Sequence, residues 1–86
     1  MVESDPEEFA LLVGERIRSI RQARGWTQAE LAEAARLSSN YVARLERGEL
    51  GPSLYVASKL AEALGVALQV FVSRSEPGPL RRRRPR

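Results

Sequence analysis

Ser39, Asn40 and Arg44 are the side chains whose types and spacing offer the most specific chemistry in this 86-residue chain. A carboxamide presents a donor and an acceptor side by side and can pair with adenine N6 and N7. A guanidinium presents two parallel donors that match guanine O6 and N7, and each good bidentate contact discriminates between bases by about 1–3 kcal/mol. Placed at roughly 100° per residue, Ser39, Asn40, Ala43, Arg44 and Arg47 fall within one arc of about 140°. Tyr41, Val42, Leu45 and Glu46 fall on the other side, where the branched apolar residues suit a core. The polar arc is therefore expected to face outward, as a helix must when it reads base edges in a DNA major groove. Ser38, which caps that helix, and Arg47, near its C-terminal end, are expected to meet phosphates.

The elements that position this face run from Thr27 to Glu49. Thr27 is a good N-cap and Glu30 can reach back to its backbone N–H, so a capping box starts a helix near Gln28. Leu31, Ala32 and Ala35 recur at helical spacing, and the small alanines allow close approach of a second helix. Arg36-Leu37-Ser38 interrupts the pattern, Ser38 caps a new helix, and Gly48 supplies a left-handed stop after Arg47. Two helices joined by so short a turn make a helix-turn-helix arrangement. Gln28, at the N-terminus of the first of them, is placed where side chain and backbone N–H can both meet a phosphate.

The flanks read as scaffold. Asp5 as N-cap, Pro6 at the first helical position and Glu8 completing a box predict a helix from Pro6 to Arg24, ended by Gly25. Its apolar stripe is Phe9, Val13, Ile17 and Ile20, with Leu12 beside it, and Trp26 is expected to fill core space. Ser53 caps a fourth helix with Leu54, Ala57, Leu60, Ala61 and Leu64 inward, ended by Gly65. The run Ala67 to Ser73 is β-rich and half alternating, with Leu68, Val70 and Val72 on one face. A lone strand needs a partner for its backbone groups, so pairing with a second copy in an antiparallel ribbon is one expectation. The other is a short fifth helix packed on its own domain, with the dimer held by helical surfaces.

The segment from Val13 to about Val66 resembles the Xre/Cro-type helix-turn-helix family, which includes the lambdoid phage repressors. The matching residues are Ile17-Arg18 with Arg21, Gly25-Trp26-Thr27-Gln28, Glu30-Leu31-Ala32, Tyr41-Val42, Leu45-Glu46-Arg47-Gly48, Pro52-Ser53-Leu54, Leu60-Ala61, and Ala63-Leu64-Gly65-Val66. The resemblance implies an all-α, four- to five-helix domain that binds double-stranded DNA as a homodimer. It implies that Ser39, Asn40 and Arg44 contact bases, that Gln28 contacts a phosphate, and that Arg21 and Glu46 form a buried ion pair. Where the family commonly has Gly in the turn, this chain has Arg36, so a left-handed turn would carry a cost on the order of 1 kcal/mol. The strand expectation for 67–73 is similar to HipB-like antitoxins, whose C-terminal strands make such a lid.

Composition narrows the classes. Fourteen basic and eleven acidic residues give +3, but five arginines lie at Arg81 to Arg84 and Arg86, so the remainder balances at 9 − 11 = −2. The basic character is local, and only those places speak about partners. With no Cys and no His, thiolate or imidazole zinc sites and His-based triads are excluded, and no cofactor is expected. The scattered carboxylates form no nucleophile–base set, so an enzyme is not expected. No run approaches a membrane span and no signal-peptide pattern opens the chain, which fits a cytoplasmic protein without membrane contact. The expected organisation is an acidic lead over 1–5, the helix-turn-helix domain over 6–66, a dimerisation strand or short helix over 67–73, and a disordered Arg-rich tail over 74–86. That tail could add phosphate contacts, solubilise, or bind a protein partner. Three functions remain open at this stage: a DNA-binding transcriptional regulator, an antitoxin that binds both its operator and a toxin protein, and a protein-interaction adaptor.

Overall fold

The computed structural model describes residues 5–73, and these form five helices: α1 (Pro6–Ala23), α2 (Gln28–Ala35), α3 (Ser39–Glu46), α4 (Leu54–Leu64) and α5 (Gln69–Val72). The expectations placed on residues 1–4 and on the Arg-rich tail over 74–86 lie outside the described residues. Each of the first four helices starts on a side-chain cap. Asp5, Thr27, Ser38 and Ser53 accept from the backbone N–H three residues on, and at Thr27 the Glu30 carboxylate returns the bond to complete a capping box. Each cap satisfies an amide that the helix itself cannot, worth about 1 kcal/mol.

The core gathers Val13 and Ile17 of α1, Leu31, Ala32 and Ala35 of α2, Val42 and Leu45 of α3, Leu60, Ala61 and Leu64 of α4, and Phe71 of α5. Gly14 lets α1 cross the end of α3 at backbone contact. A Cβ at that position would collide with the carbonyl oxygens of Leu45 and Glu46, the latter at 2.8 Å. At the far end of α1, Arg24 donates to the Leu64 carbonyl at 3.0 Å and lies 4.6 Å from the Trp26 ring centroid, joining the ends of α1 and α4. Two residues of the expected apolar stripes are not in the core: Phe9 is 39% exposed and Leu54 is 74% exposed. Both sit in the first turns of their helices, where they line a groove shared with α5.

The strand expectation for Leu68, Val70 and Val72 is overturned, because the segment closes into the single turn of α5. Val70 N–H donates to the Ala67 carbonyl and Phe71 N–H to the Leu68 carbonyl, at 3.0 and 3.1 Å. The Val70 carbonyl accepts from Arg16 Nη1 at 3.4 Å. These bonds satisfy the backbone within the chain, which removes the need for a partner strand. The helical turn also drives Phe71 fully into the core, where an alternating strand would have set it opposite Leu68, Val70 and Val72. The three no longer share a face. Leu68 and Val72 line one groove with Phe71, and Val70, about 200° from Leu68, turns away.

All four long helices end in the same way, with a left-handed residue followed by one whose N–H returns to a carbonyl five residues earlier. Three of the left-handed positions are Gly25, Gly48 and Gly65; the fourth is Arg36, at φ 61° and ψ 46°. The left-handed conformation costs a non-glycine residue about 1–2 kcal/mol. Arg36→Gly removes that cost but adds unfolded-state entropy worth about 0.5–1 kcal/mol. A net gain of about 0.5–1 kcal/mol is expected, read as a rise in melting temperature of about 2–8 °C.

Candidate nucleic-acid interface

The outer face of α3 follows from how its inner face is held. Val42, Leu45 and Glu46 are buried, which fixes the rotation of the helix and leaves Ser39, Asn40, Arg44 and Arg47 exposed, with Ala43 and Tyr41 at the boundary. Ser38 caps α3 by accepting from the Tyr41 N–H at 3.0 Å, so its oxygen is engaged while its hydroxyl hydrogen can still be donated. Four polar side chains thus stand on about two turns of one helix, set by the turn from α2 and braced from behind by α1.

Behind that face lies a buried polar knot. Arg21 Nε donates to Glu46 Oε2 at 2.7 Å and Arg21 Nη2 to Glu46 Oε1 at 2.9 Å, a bidentate pair joining α1 to the end of α3. A third nitrogen, Nη1, donates to the Trp26 carbonyl at 2.7 Å, so the same guanidinium also fixes the link into α2. The hydrogen bond to Glu46 holds the Arg21 pKa above its ordinary value, against the burial that favours the neutral form. Gln28 joins the knot, with Nε2 donating to Glu46 Oε1 at 3.0 Å. The structure therefore groups Gln28 with Arg21 and Glu46 rather than with the outer side chains of α3. Its second amide hydrogen and its carbonyl oxygen remain for a ligand at the start of α2.

A residue that sequence reasoning passed over completes the outer face. Gly48 is left-handed at φ 76°, Gly48 N–H donates to the Leu45 carbonyl at 3.0 Å, and Glu49 N–H donates to the Arg44 carbonyl at 3.1 Å. This Schellman closure turns the chain back so that Glu49 lies beside Arg44. The Glu49 carboxylate then accepts from Arg44 Nε at 3.1 Å and from Arg47 Nε at 2.6 Å. Hydrogen bonds from Arg47 and then Arg44 hold the Glu49 carboxyl below the usual carboxylate range, and the same contact raises Arg47. The signal was present as Arg-x-x-Arg-Gly-Glu, in which a glycine stop predicts that the next residue returns to the last turn.

Among the described residues, no three His, Cys, Asp or Glu side chains gather as a metal site, and no helix is long and apolar enough to cross a membrane.

Comparison with known proteins supplies the family. Over 62 residues the chain is 44% identical to the immunity repressor protein of Bacillus phage phi105, a match covering 72% of this chain and 43% of that protein. It is 33% identical over 67 residues to the HTH-type transcriptional regulator SutR of Escherichia coli K12, covering 78% of this chain and 38% of the relative. The chain thus spans about two-fifths of the length of these curated relatives. The crystal structure of the restriction-modification controller protein C.AhdI from Aeromonas hydrophila superposes with a TM-score of 0.75 at 34% identity, covering 79% of this chain and 99% of that one. A helix-turn-helix family model matches residues 17–71, from the middle of α1 into α5, and the chain belongs to the helix-turn-helix family.

Proposed function

We propose that the chain is a sequence-specific double-stranded-DNA-binding transcriptional regulator, a repressor in the first instance, that acts as a homodimer and performs no catalysis. The observation that carries this reading is the exposure of Ser39, Asn40, Arg44 and Arg47 on one face of α3 while its opposite face is buried. In this reading α3 enters the major groove, Ser39, Asn40 and Arg44 contact base edges, and Gln28, Ser38 and Arg47 contact phosphates. The names of the phage phi105 repressor and of SutR support the regulatory role. The face bears no apolar side chain larger than Ala43, which speaks against a protein adaptor that would anchor through it. The antitoxin reading loses the paired strand that favoured it.

The dimer is assigned to a different surface from the one expected of a strand. Phe9, Leu54, Tyr55 and Val72 are exposed, and all but Tyr55 line an apolar groove of about 520 Å³ between the first turns of α1 and α4 and the end of α5. Apolar surface gathered in this way favours association, and a second copy seated there would make a two-fold pair. Leu68 and Val72 remain in this surface and Val70 leaves it.

Selection of bound sequences from a random duplex pool at physiological salt tests the reading. An inverted repeat is expected, with half-sites about 34–36 Å apart if they lie one helical turn from each other. Arg44→Ala is expected to relax preference at one base position in each half-site by about 1–3 kcal/mol, whereas Arg47→Ala weakens all sequences alike and reduces the salt slope by about one. Absence of any enriched sequence would overturn the proposal.

A further inference from the structure

We propose that Glu49 is a specificity-determining positioning residue, holding Arg44 and Arg47 by their Nε–H groups so that their terminal nitrogens are presented to DNA in a fixed orientation. The inference rests on the reading of α3 as the recognition helix and goes beyond it by naming a residue outside that helix.

The geometry is built into the backbone. Glu49 follows the left-handed Gly48, and its own N–H is bonded to the Arg44 carbonyl, so the carboxylate is brought to the arginines by the helix stop itself. A Cβ on Gly48 would lie 2.5 Å from Leu11 Cδ2 and 2.9 Å from Leu11 Cα, so the position of this stop is also fixed by its packing on α1. One carboxylate oxygen takes Arg44 Nε and the other takes Arg47 Nε, which leaves each arginine four N–H donors at its Nη ends. At Arg44 these are the donors that would read O6 and N7 of guanine, and at Arg47 those that would meet a phosphate.

Two effects on specificity follow. An unrestrained arginine loses rotamer freedom when it docks on a base, and holding its guanidinium beforehand lowers that cost. An unrestrained arginine can also swing to the nearest phosphate, a contact blind to sequence. The carboxylate restrains that swing and repels phosphates with its own charge, so it lowers affinity for all DNA while widening the gap between right and wrong sequences. Glu49 is 43% exposed at its side chain, and Arg44 and Arg47 are 46% and 57% exposed. Their pairing therefore adds little to folding stability, and its consequence lies in orientation.

The test compares full-length wild type, Glu49→Ala, Glu49→Gln, Arg44→Ala and the Arg44→Ala/Glu49→Ala double variant. Each is titrated across a salt series with the selected duplex, the same duplex changed at the base pair read by Arg44, and a random duplex. All are expected to melt with the wild type. Glu49→Ala should bind the random duplex several-fold more tightly, since a negative charge is gone. At the same time it should lose about tenfold of the discrimination at the Arg44 base pair. Glu49→Gln, whose carboxamide oxygen can accept from one arginine, should retain part of it, and in the Arg44→Ala background the Glu49 change should have no further effect on discrimination. Equal gains by Glu49→Ala on all three duplexes would reduce Glu49 to a bare charge and overturn the inference alone. A larger gain on the selected duplex would make Glu49 a competitor of DNA and overturn it equally. A wild type without discrimination at that base pair, or one unaltered by Arg44→Ala, would overturn the recognition-helix reading and the inference with it.

Discussion

Arg21→Ala is expected to destabilise the domain by about 3–5 kcal/mol, because it leaves the Glu46 carboxylate buried without its cation. Both partners are buried, with side chains 9% and 2% exposed, and three of the five guanidinium N–H groups are committed to Glu46 and to the Trp26 carbonyl. Truncation removes the brace between α1 and α3 and the tie from α1 into α2 together, and the Gln28 amide cannot replace the charge. For a domain of this size the loss corresponds to a fall in melting temperature on the order of 20 °C, measurable by circular dichroism. Arg21→Lys should fall between, since an ammonium cannot make the two-pronged contact. A double replacement by Met at positions 21 and 46 should be milder than either single loss of charge, because the destabilisation comes from the unpaired ion rather than from the absence of a salt bridge. An unchanged melting temperature in Arg21→Ala would show that the pair contributes nothing to stability. Since Glu46 also holds Gln28, the variant tests whether a fold contact reaches the proposed DNA face: at a temperature where it stays folded, DNA binding is expected to weaken on all sequences alike.

What could be read from the sequence was whatever is decided locally. The caps at Asp5, Thr27, Ser38 and Ser53 and the stops at Gly25, Gly48 and Gly65 are written within a few residues of the bonds they make, so the first four helices were legible nearly to their ends. The rotation of α3 was legible for a related reason, since Val42 and Leu45 leave only one face for the polar residues. Features decided by tertiary packing were not. Gln28 binding to Glu46 depends on where α2 crosses the end of α3, eighteen residues away in the chain. Phe9 and Leu54 fit the apolar period of their helices, yet they stay 39% and 74% exposed, at the groove between the first turns of α1 and α4 and the end of α5. The bracket at Glu49 depends on a helix stop whose glycine was recognised but whose geometric consequence, the return of the next residue to Arg44, was not followed through.

The segment 67–73 shows most plainly how packing overrides propensity. Val70, Phe71 and Val72 in succession suit a strand, and over seven residues nothing local argues against one. The decision rests on Phe71, which has the largest volume of the fully buried side chains. A turn of helix lets it fill the core against α1, and its burial outweighs the weak preference of its neighbours. Phe71→Ala is accordingly expected to cost about 3–5 kcal/mol, comparable to the loss of Arg21, through lost burial and the cavity left behind. Val72→Ala, 45% exposed at the rim of the groove, is expected to alter monomer stability by no more than about 0.5 kcal/mol. A strand holding Leu68, Val70 and Val72 against a partner would reverse that order. Unfolding by urea at several protein concentrations distinguishes the two: the helix requires a large, concentration-independent loss for Phe71→Ala, with any effect of Val72→Ala confined to association. A paired strand instead requires Val70→Ala and Val72→Ala to fall together and Phe71→Ala to be mild. The same measurement separates the buried side of α5, which completes the domain, from its exposed side, which the proposed dimer would cover.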